Sequence, residues 1–358
     1  MLGHFVLFAD DTNIFVVGKD EKEVYTNANI VLDEVLKYFL KNQLHINTNK
    51  SVYMYFRSHP NREERLSCAR SREYGCEMSL KLAGTKLKKV DKVKFLGVII
   101  DDKLNWEAHV EHLKEKLNSS IVVIKRIKKF VPQSEYLKIY NALFKSHLSY
   151  CISSWGGIPR YRFESLFSVQ KRCIRLLFGK KLSYDHAGFY ETCARVRSYK
   201  QHMAKKDYLL EHTKPLFNEN KILSLHHLYV QHTFIELFKI IKYRTPISLF
   251  ELFCLSPRNT NLLMVLPRIN LDLSKINFVF SASLIWNGLI GTLLNRCFPN
   301  PLGIMVPGSS ECSDISASIS YIKDKLKNIL FGIQKLDTQS QFDKSKSKEW
   351  NMENFFKV

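Results

Sequence analysis

Residues 5–17, FVLFADDTNIFVV, place two adjacent carboxylates between two short apolar runs. The runs Phe5–Phe8 and Ile14–Val17 are rich in residues that favour strands, and the polar junction between them is typical of a hairpin turn. Asp10 and Asp11 are therefore predicted at the tip of a hairpin. Carboxylate oxygens are the ligands that Mg²⁺ prefers, which makes the pair a candidate metal site. The alternative is a plain surface turn, because Asp and Asn are ordinary turn residues.

The residues that follow predict alternating helix and strand. Asp20–Asn42 carries apolar residues at helical spacing and acids in its first turn, which predicts an amphipathic helix. The β-rich runs Val52–Phe56 and Val93–Asp101 predict a strand and a second hairpin. The spacing of apolar residues predicts three further helices, at 106–130, 132–155 and 163–178. This order indicates an α+β fold.

The hairpin is the first of three motifs that together resemble one protein family. The second motif, N-x-L-x-x-N-x-x-K-[ST], is matched by Asn42, Leu44, Asn47, Lys50 and Ser51. The third, F-L-G-V-x-x-D-x-x-L-x-W-x-x-H, is matched by Phe95–Asp101 with Leu104, Trp106 and His109. In this order and at this spacing the motifs resemble the reverse transcriptases of non-LTR retrotransposons, of the LINE-like, jockey-type groups.

The resemblance implies an RNA-directed DNA polymerase that transfers nucleotides onto a primer 3′-hydroxyl with two Mg²⁺ ions. Asp10 and Asp11 are the implied catalytic and metal-binding residues, with Asp10 as the ligand and Asp11 as its supporting neighbour. An RNA template and a DNA primer are the implied partners. Further site residues implied by the motifs are Phe8, Ala9 and Lys50 for nucleotide binding, and Phe95, Leu96 and Gly97 for primer positioning.

In the resembled family a further palm strand with its own Asp, the nucleotide pocket and the fingers lie N-terminal to this hairpin. Only seven residues precede Phe8, so we expect a C-terminal polymerase fragment that is inactive alone. The expected organisation is a partial palm of antiparallel hairpins plus one helix at 1–104, with a primer-grip-like hairpin. A helical thumb at 105–180 and a mostly helical C-terminal region at 181–333 follow, and then a polar, poorly ordered tail at 334–358.

The charge of the chain favours a polyanionic partner. It has 54 Lys and Arg against 34 Asp and Glu, a net charge of +20, which indicates nucleic acid before membrane. The basic residues predicted to contact the template–primer backbone are Lys125, Arg126, Lys128, Lys129, Lys171 and Arg172. The alternative is that these side chains are the solvated faces of a helical bundle.

Other features narrow the alternatives. The eight cysteines include no C-x-x-C pair and no signal peptide is recognised, so a reduced intracellular setting, nuclear or cytoplasmic and not secreted, is expected. Residues 276–295 carry no charge, but their Asn, Ser and Gly residues indicate a buried segment rather than a membrane span. Two competing interpretations stay open: a non-catalytic basic RNA- or DNA-binding remnant, and a decayed copy without selected function.

Overall fold

The computed structural model describes residues 3–56, 79–179, 213–253, 264–266 and 278–297, together with 323–324 and 326–331. The chain divides into two compact units, Met1–Ala108 and His109–Val358. The described residues mix helices with short antiparallel hairpins, in agreement with the expected α+β class. The expected tail at 334–358 lies outside the described residues, as does the start of the expected C-terminal region, 181–212.

The described part of the first unit is built from three antiparallel hairpins, one parallel strand pair and one helix. In chain order its elements are β1 (Gly3–Phe8), β2 (Asp11–Val16), α1 (Glu21–Lys41), β3 (Val52–Tyr53), β4 (Lys81–Leu82), β5 (Thr85–Lys86), β6 (Lys88–Lys89), β7 (Lys92–Phe95) and β8 (Val98–Asp101). The hairpins are β1–β2, β4–β5 and β7–β8, and β3 pairs in parallel with β6. Both predicted hairpins, at 5–17 and 93–101, are confirmed.

Helix α1 begins where its sequence predicts. The carboxylate of the N-cap residue Asp20 accepts a hydrogen bond of 2.7 Å from the backbone N–H of Glu23. The Glu23 carboxylate in turn accepts one of 2.9 Å from the N–H of Lys19. These bonds satisfy backbone donors that a helix start leaves free, and the acids of the first turn favour the positive end of the helix dipole.

The buried face of α1 forms the core of the first unit. Tyr25 and Ala28 pack with Leu80, Leu82 and Leu87, which lie in and beside the short strands β4 to β6. The predicted strand at Val52–Phe56 is shorter than expected, because its partner β6 offers only two residues for pairing. One further bond, from Val90 N–H to the Tyr53 carbonyl at 2.9 Å, ends this ladder.

The described part of the second unit is helical. Its first helix, α2 (Glu107–Ile127), begins two residues before the boundary between the units. The elements that follow are 3₁₀ turns at Lys128–Phe130 and Gln133–Glu135, α3 (Tyr136–Tyr140), a π-helical turn (Asn141–Lys145), α4 (Ser146–Ser149), α5 (Ile152–Trp155), α6 (Arg160–Phe178), α7 (Thr213–Glu219), α8 (Leu225–Tyr243), α9 (Ile247–Phe250) and α10 (Phe278–Cys297). Residues 323–324 and 326–331 form the last described helix. The helices predicted at 106–130 and 163–178 are confirmed.

The prediction of a single helix at 132–155 is wrong. The π-helical turn interrupts it, and the left-handed backbone of Cys151, with φ of 50°, breaks it again before α5. Apolar spacing alone did not predict these breaks, because the apolar residues on both sides are still buried. Tyr140, Phe144, Leu148 and Ile152 are all fully inaccessible.

A buried glutamine joins α6 to the residues that precede α8. The Gln170 amide nitrogen donates hydrogen bonds to the Tyr140 hydroxyl at 2.9 Å and to the Leu223 carbonyl at 3.0 Å. Its amide oxygen accepts a bond of 2.8 Å from the N–H of Leu225, at the start of α8. Because a buried amide is costly unless it is hydrogen-bonded, this network fixes α8 against α6. Among the described residues, no helix has the length and apolar character needed to cross a membrane.

Candidate functional site

Asp10 and Asp11 lie at the tip of the first hairpin, where the sequence places them. The register pairs Phe8 with Asp11, so Ala9 and Asp10 form a two-residue turn and Asp11 is the first residue of β2. Ala9 has φ of 53°, a left-handed conformation that turns of this length require at their first position. Glycine adopts it freely, whereas alanine does so at a cost of about 1 kcal/mol or more.

Both carboxylates are exposed to solvent. Neither has a hydrogen-bond or ion-pair partner among the described residues. The nearest side-chain bond in the hairpin is made by Asn13, whose amide donates to the Val6 carbonyl at 3.4 Å. Two adjacent carboxylates fit Mg²⁺, which takes few protein ligands and completes its shell with water and substrate phosphates. Within the described residues no group of three or more His, Cys, Asp and Glu side chains could hold a metal, so the hairpin offers two carboxylates.

The residues implied for nucleotide binding lie in two places. Phe8 and Ala9 belong to the hairpin tip, and the Phe8 side chain is 57% exposed. Lys50 is exposed in the turn after α1, where its N–H donates to the carbonyl and side-chain oxygens of Asn47, both at 3.2 Å. Among the described residues these bonds tie Lys50 to its own turn and not to the hairpin. The nucleotide roles stay a prediction.

The residues implied for primer positioning form the turn of the β7–β8 hairpin. Phe95 pairs with Val98, so Leu96 and Gly97 are the two turn residues, with φ of 44° and 83°. Positive φ at both central residues is typical of the type I′ turn that joins twisted strands, and it accounts for the glycine. Leu96 and Gly97 are exposed, as contact with a partner would require. Their role in holding a primer end stays a prediction.

A second aspartate pair, Asp101 and Asp102, ends the same hairpin. Asp101 is only 8% exposed, and its carboxylate accepts bonds from the N–H groups of Lys103 at 3.2 Å, Asn105 at 3.0 Å and Trp106 at 2.8 Å. It therefore fixes the loop that leads into α2. Sequence reasoning placed Asp101 at the end of a strand and missed this role. A signal was present, since an Asp directly before a polar loop and a helix is a common acceptor of backbone N–H bonds.

The basic residues predicted to contact nucleic acid divide into two groups. Lys125, Arg126 and Lys129 are exposed at the C-terminal end of α2 and beyond it. The other three contact neighbouring side chains or carbonyls. Lys128 Nζ donates to the Leu176 carbonyl at 2.6 Å and lies 5.3 Å from the Tyr136 ring centroid.

Lys171 and Arg172 complete the second group. Lys171 Nζ lies 4.1 Å from the Phe167 ring centroid, and burial lowers its pKa. Arg172 donates a hydrogen bond to the Asn118 side chain, which connects α6 to α2. Packing between helices therefore accounts for the positions of Lys128 and Arg172, and Lys171 contacts a ring one turn earlier on its own helix. The exposed group has room for a partner. Binding of nucleic acid by either group stays a prediction.

The buried histidines belong to the helical core of the second unit. His109 packs on Trp155 with ring centroids 5.6 Å apart, and burial lowers its pKa to about 4. The Nδ1 atom of His227 lies 2.6 Å from the Ser224 hydroxyl, and burial lowers the His227 pKa to about 4. Imidazoles of such low pKa are neutral at pH 7, so they add no charge for a polyanion.

No family model matches this chain, and neither a curated protein nor a solved structure is similar to it. The resemblance of its three motifs to reverse transcriptases therefore stays a prediction. The case for a function depends on the residues themselves: the carboxylates at the hairpin tip, the turn of the second hairpin and the exposed basic side chains.

Proposed function

We propose that this chain is part of an RNA-directed DNA polymerase of the non-LTR retrotransposon type, with Asp10 and Asp11 as its metal-binding carboxylates. One observation carries the proposal. The two acids lie side by side at the tip of a closed two-residue hairpin, exposed and without a partner among the described residues. Adjacent unpaired charges repel each other, and a bound divalent cation relieves that repulsion.

The order of elements supports the same function. A hairpin with two acids, a helix, a short strand and a second hairpin follow one another in the first unit. This is the order expected of the rear of a polymerase palm. We propose that the first unit acts as a partial palm and that the helices α2 to α6 act as a thumb beside the template–primer duplex.

In this proposal three groups of residues have separate roles. Asp10 and Asp11 would hold Mg²⁺, which supplies activation of the primer hydroxyl and charge stabilisation at the leaving oxygen. The exposed turn Leu96–Gly97 would support the primer end. Lys125, Arg126 and Lys129 would neutralise backbone phosphates without reading base sequence.

The metal site is tested by titration with Mn²⁺, a paramagnetic substitute for Mg²⁺, in the presence of an RNA–DNA primer–template and a nonhydrolysable deoxynucleoside triphosphate. Free Mn²⁺ is measured by electron paramagnetic resonance. Substitution of outer-shell residues alone weakens metal affinity about 10- to 100-fold, so D10N/D11N is expected to weaken it at least about tenfold. The matched control D102N should bind as the wild type does. Equal Mn²⁺ binding by D10N/D11N and wild type would refute the proposed site.

Primer extension tests whether the chain has activity of its own. We expect the purified chain alone not to extend a primed RNA template, because two carboxylates are only part of a two-metal site. Extension that D10A abolishes would show that our expectation of inactivity is wrong while supporting the polymerase assignment.

A second candidate function is non-catalytic binding of RNA or DNA. The exposed group Lys125, Arg126 and Lys129, in a chain of net charge +20, favours it. The two candidates differ in one respect, since only the polymerase needs a metal at the hairpin. If duplex binding depends on salt and D10N/D11N leaves the affinity for Mn²⁺ unchanged, the chain is a non-catalytic nucleic-acid-binding protein.

A further inference from the structure

The short strands β4 to β7 of the first unit carry closely spaced lysines. Residues 79–94 contain six lysines and one aspartate, and all of these charged side chains are exposed. None of the six is among the basic residues considered above as nucleic-acid contacts, which lie in the second unit. Three of them share one side of the β4–β5 hairpin and its continuation into β6. We call Lys81, Lys86 and Lys88 the lysine face.

The register of the β4–β5 hairpin places Lys81 directly opposite Lys86. The turn residues Ala83–Gly84 have φ of 49° and 75°, as a closed two-residue turn requires, and such a turn fixes the register. The Leu87 N–H donates to the Leu80 carbonyl at 2.9 Å, which makes this neighbouring pair hydrogen-bonded. The two kinds of pair alternate along an antiparallel ladder, so Lys81 and Lys86 form a non-hydrogen-bonded pair, with Cα atoms about 4.5 Å apart.

Packing of the hairpin on α1 directs the lysine face away from the core. Leu80, Leu82 and Leu87 are buried against α1, and successive side chains of a strand point to opposite sides, so the lysines between them point outward. In a non-hydrogen-bonded pair the backbone N–H points away from the partner strand. That of Lys81 donates to the Asn29 side-chain oxygen of α1 at 3.1 Å. The hairpin is thus held to α1 by its leucines and by one edge.

Lys88 extends the lysine face along the chain. It follows Lys86 by two residues, and residues two apart on a strand lie on the same side, about 7 Å from each other. Its strand, β6, pairs in parallel with β3, where Lys88 is opposite Val52. Parallel strands have their N-terminal ends at the same edge, so Lys50, two residues before β3, lies at the same end of this pair as Lys86. The residue implied for nucleotide binding and the lysine face therefore share one end of the strand pair.

The acids nearest to the lysine face in the described chain lie elsewhere. Residues 79–90 contain no Asp or Glu. Asp91 follows β6, and its carbonyl accepts a bond of 2.9 Å from the Asp102 N–H, which places it at the base of the β7–β8 hairpin. Asp33 belongs to α1, the helix that covers the opposite side of the β4–β5 hairpin, and Glu77 lies outside the described residues. Like charges directly opposite each other destabilise an antiparallel pair, and a bound anion relieves their repulsion.

We propose that the lysine face binds separate backbone phosphates of an RNA–DNA duplex. The inference rests on the proposed function for its partner, but it needs no metal at Asp10 and Asp11. Ammonium groups act as point charges for phosphate oxygens, and their spread along two strands fits a row of phosphates better than one small anion. The turn Ala83–Thr85 carries no large apolar side chain that would insert into a membrane, which favours a nucleic acid over a lipid surface.

The test measures binding of a fluorescently labelled RNA–DNA duplex to the full chain by anisotropy, in EDTA and over a series of salt concentrations. The variants are Lys81→Gln, Lys88→Gln and the double variant Lys81→Gln/Lys86→Gln. We expect the double variant to bind about three- to tenfold more weakly, and each lost contact to reduce the salt slope by about 0.7 to 0.9. Lys81→Arg/Lys86→Arg keeps both charges and should bind within about twofold of the wild type.

Two controls separate a contact from net charge and from stability. Lys22→Gln/Lys37→Gln removes two exposed charges from α1 of the same unit and should change affinity less than about twofold, because it removes no proposed contact. Lys81→Gln removes one of two like charges that are directly opposite, so its melting temperature without nucleic acid should equal or exceed that of the wild type. Weaker binding by a variant that is no less stable supports the site. A loss of binding that only accompanies a loss of stability would overturn it.

Three further outcomes would overturn the proposal. If Lys81→Gln/Lys86→Gln binds the duplex as the α1 control does, the lysine face does not contact it, and the proposed function is left standing. If the lysine-face variants lose binding to phosphatidylserine vesicles but keep duplex binding, the face belongs to a membrane surface. If the wild type does not bind the duplex at all, the inference and the nucleic-acid function are both refuted.

Discussion

The chain carries the same dipeptide, Asp-Asp, at two hairpins, but the two copies differ in exposure and in hydrogen bonding. Asp10 and Asp11 lie exposed at the tip of β1–β2, without a partner among the described residues. Asp101, at the end of β8, is buried and accepts three backbone N–H bonds. A carboxylate that is saturated by backbone donors stabilises a loop, whereas one that is left unpaired is free to bind a ligand.

The backbone explains why the second copy needs its acid. Between Asp101 and α2 the loop contains Leu104 and Trp106, with φ of 52° and 61°. Left-handed residues other than glycine cost about 1–3 kcal/mol each and persist only when surrounding bonds fix them. The Asp101 carboxylate supplies three such bonds. At the first hairpin Ala9 is the residue with positive φ. The carboxylates of Asp10 and Asp11 make no hydrogen bond to the described residues that would fix it.

The largest expected effect concerns Asp101. Asp101→Ala removes three charge-assisted bonds and leaves their donors unpaired, so the free energy of unfolding of the first unit should fall by about 3 kcal/mol. Hydrogen exchange checks the cause directly, since the amide hydrogens of Lys103, Asn105 and Trp106 should lose protection. The neighbour Asp102 is the matched control, and Asp102→Ala should change stability by no more than about 0.5 kcal/mol. Equal effects of the two substitutions would show that the Asp101 carboxylate does not stabilise the loop more than that of Asp102 does.

The second prediction concerns removal of the metal. With Mg²⁺ and a deoxynucleoside triphosphate present at about tenfold their dissociation constant, ligand binding should stabilise the wild type by about 1.4 kcal/mol. EDTA should abolish this stabilisation, as followed by the melting temperature. D10N/D11N should lack the stabilisation from the start, whereas D102N should keep it. A double variant that still responds to EDTA like the wild type would show that the metal binds elsewhere.

Local patterns predicted much of the fold and the position of the first site. The hairpins followed from β-rich runs with turn residues between them, and α1 followed from its apolar spacing and from Asp20 as N-cap. These features depend on neighbours a few residues apart, which the sequence displays. The position of Asp10 and Asp11 at the tip of the first hairpin followed as well, from the polar junction between two apolar runs.

Contacts between distant segments were not predictable in this way. The charge of Lys128 was visible, but its bond to the Leu176 carbonyl depends on how α6 packs beside the turn that follows α2. The role of Asp101 depends on a loop conformation with two left-handed residues, which composition alone does not specify.

The third prediction tests strain at the first hairpin. Ala9→Gly should raise the stability of the first unit by up to about 1 kcal/mol, because glycine adopts positive φ without the steric penalty of a Cβ atom. Urea unfolding at constant metal concentration measures the change. Gly97→Ala is the converse variant at the second hairpin, where φ is 83°, and it should destabilise by about 1 kcal/mol. A loss of stability in Ala9→Gly would mean that Ala9 is not strained.

The smallest expected effect is on Asp10 itself. Without metal, Asp10→Asn removes one of two adjacent like charges and breaks no hydrogen bond among the described residues, so stability should stay equal or rise by at most about 0.5 kcal/mol. Asp101→Asn, the same chemical change, should be clearly destabilising, because its amide replaces a carboxylate that accepts three bonds. Parallel urea unfolding in EDTA compares the two. If Asp10→Asn destabilised as much as Asp101→Asn, the first pair would stabilise the fold. The proposal that it binds a metal would then lose its physical basis.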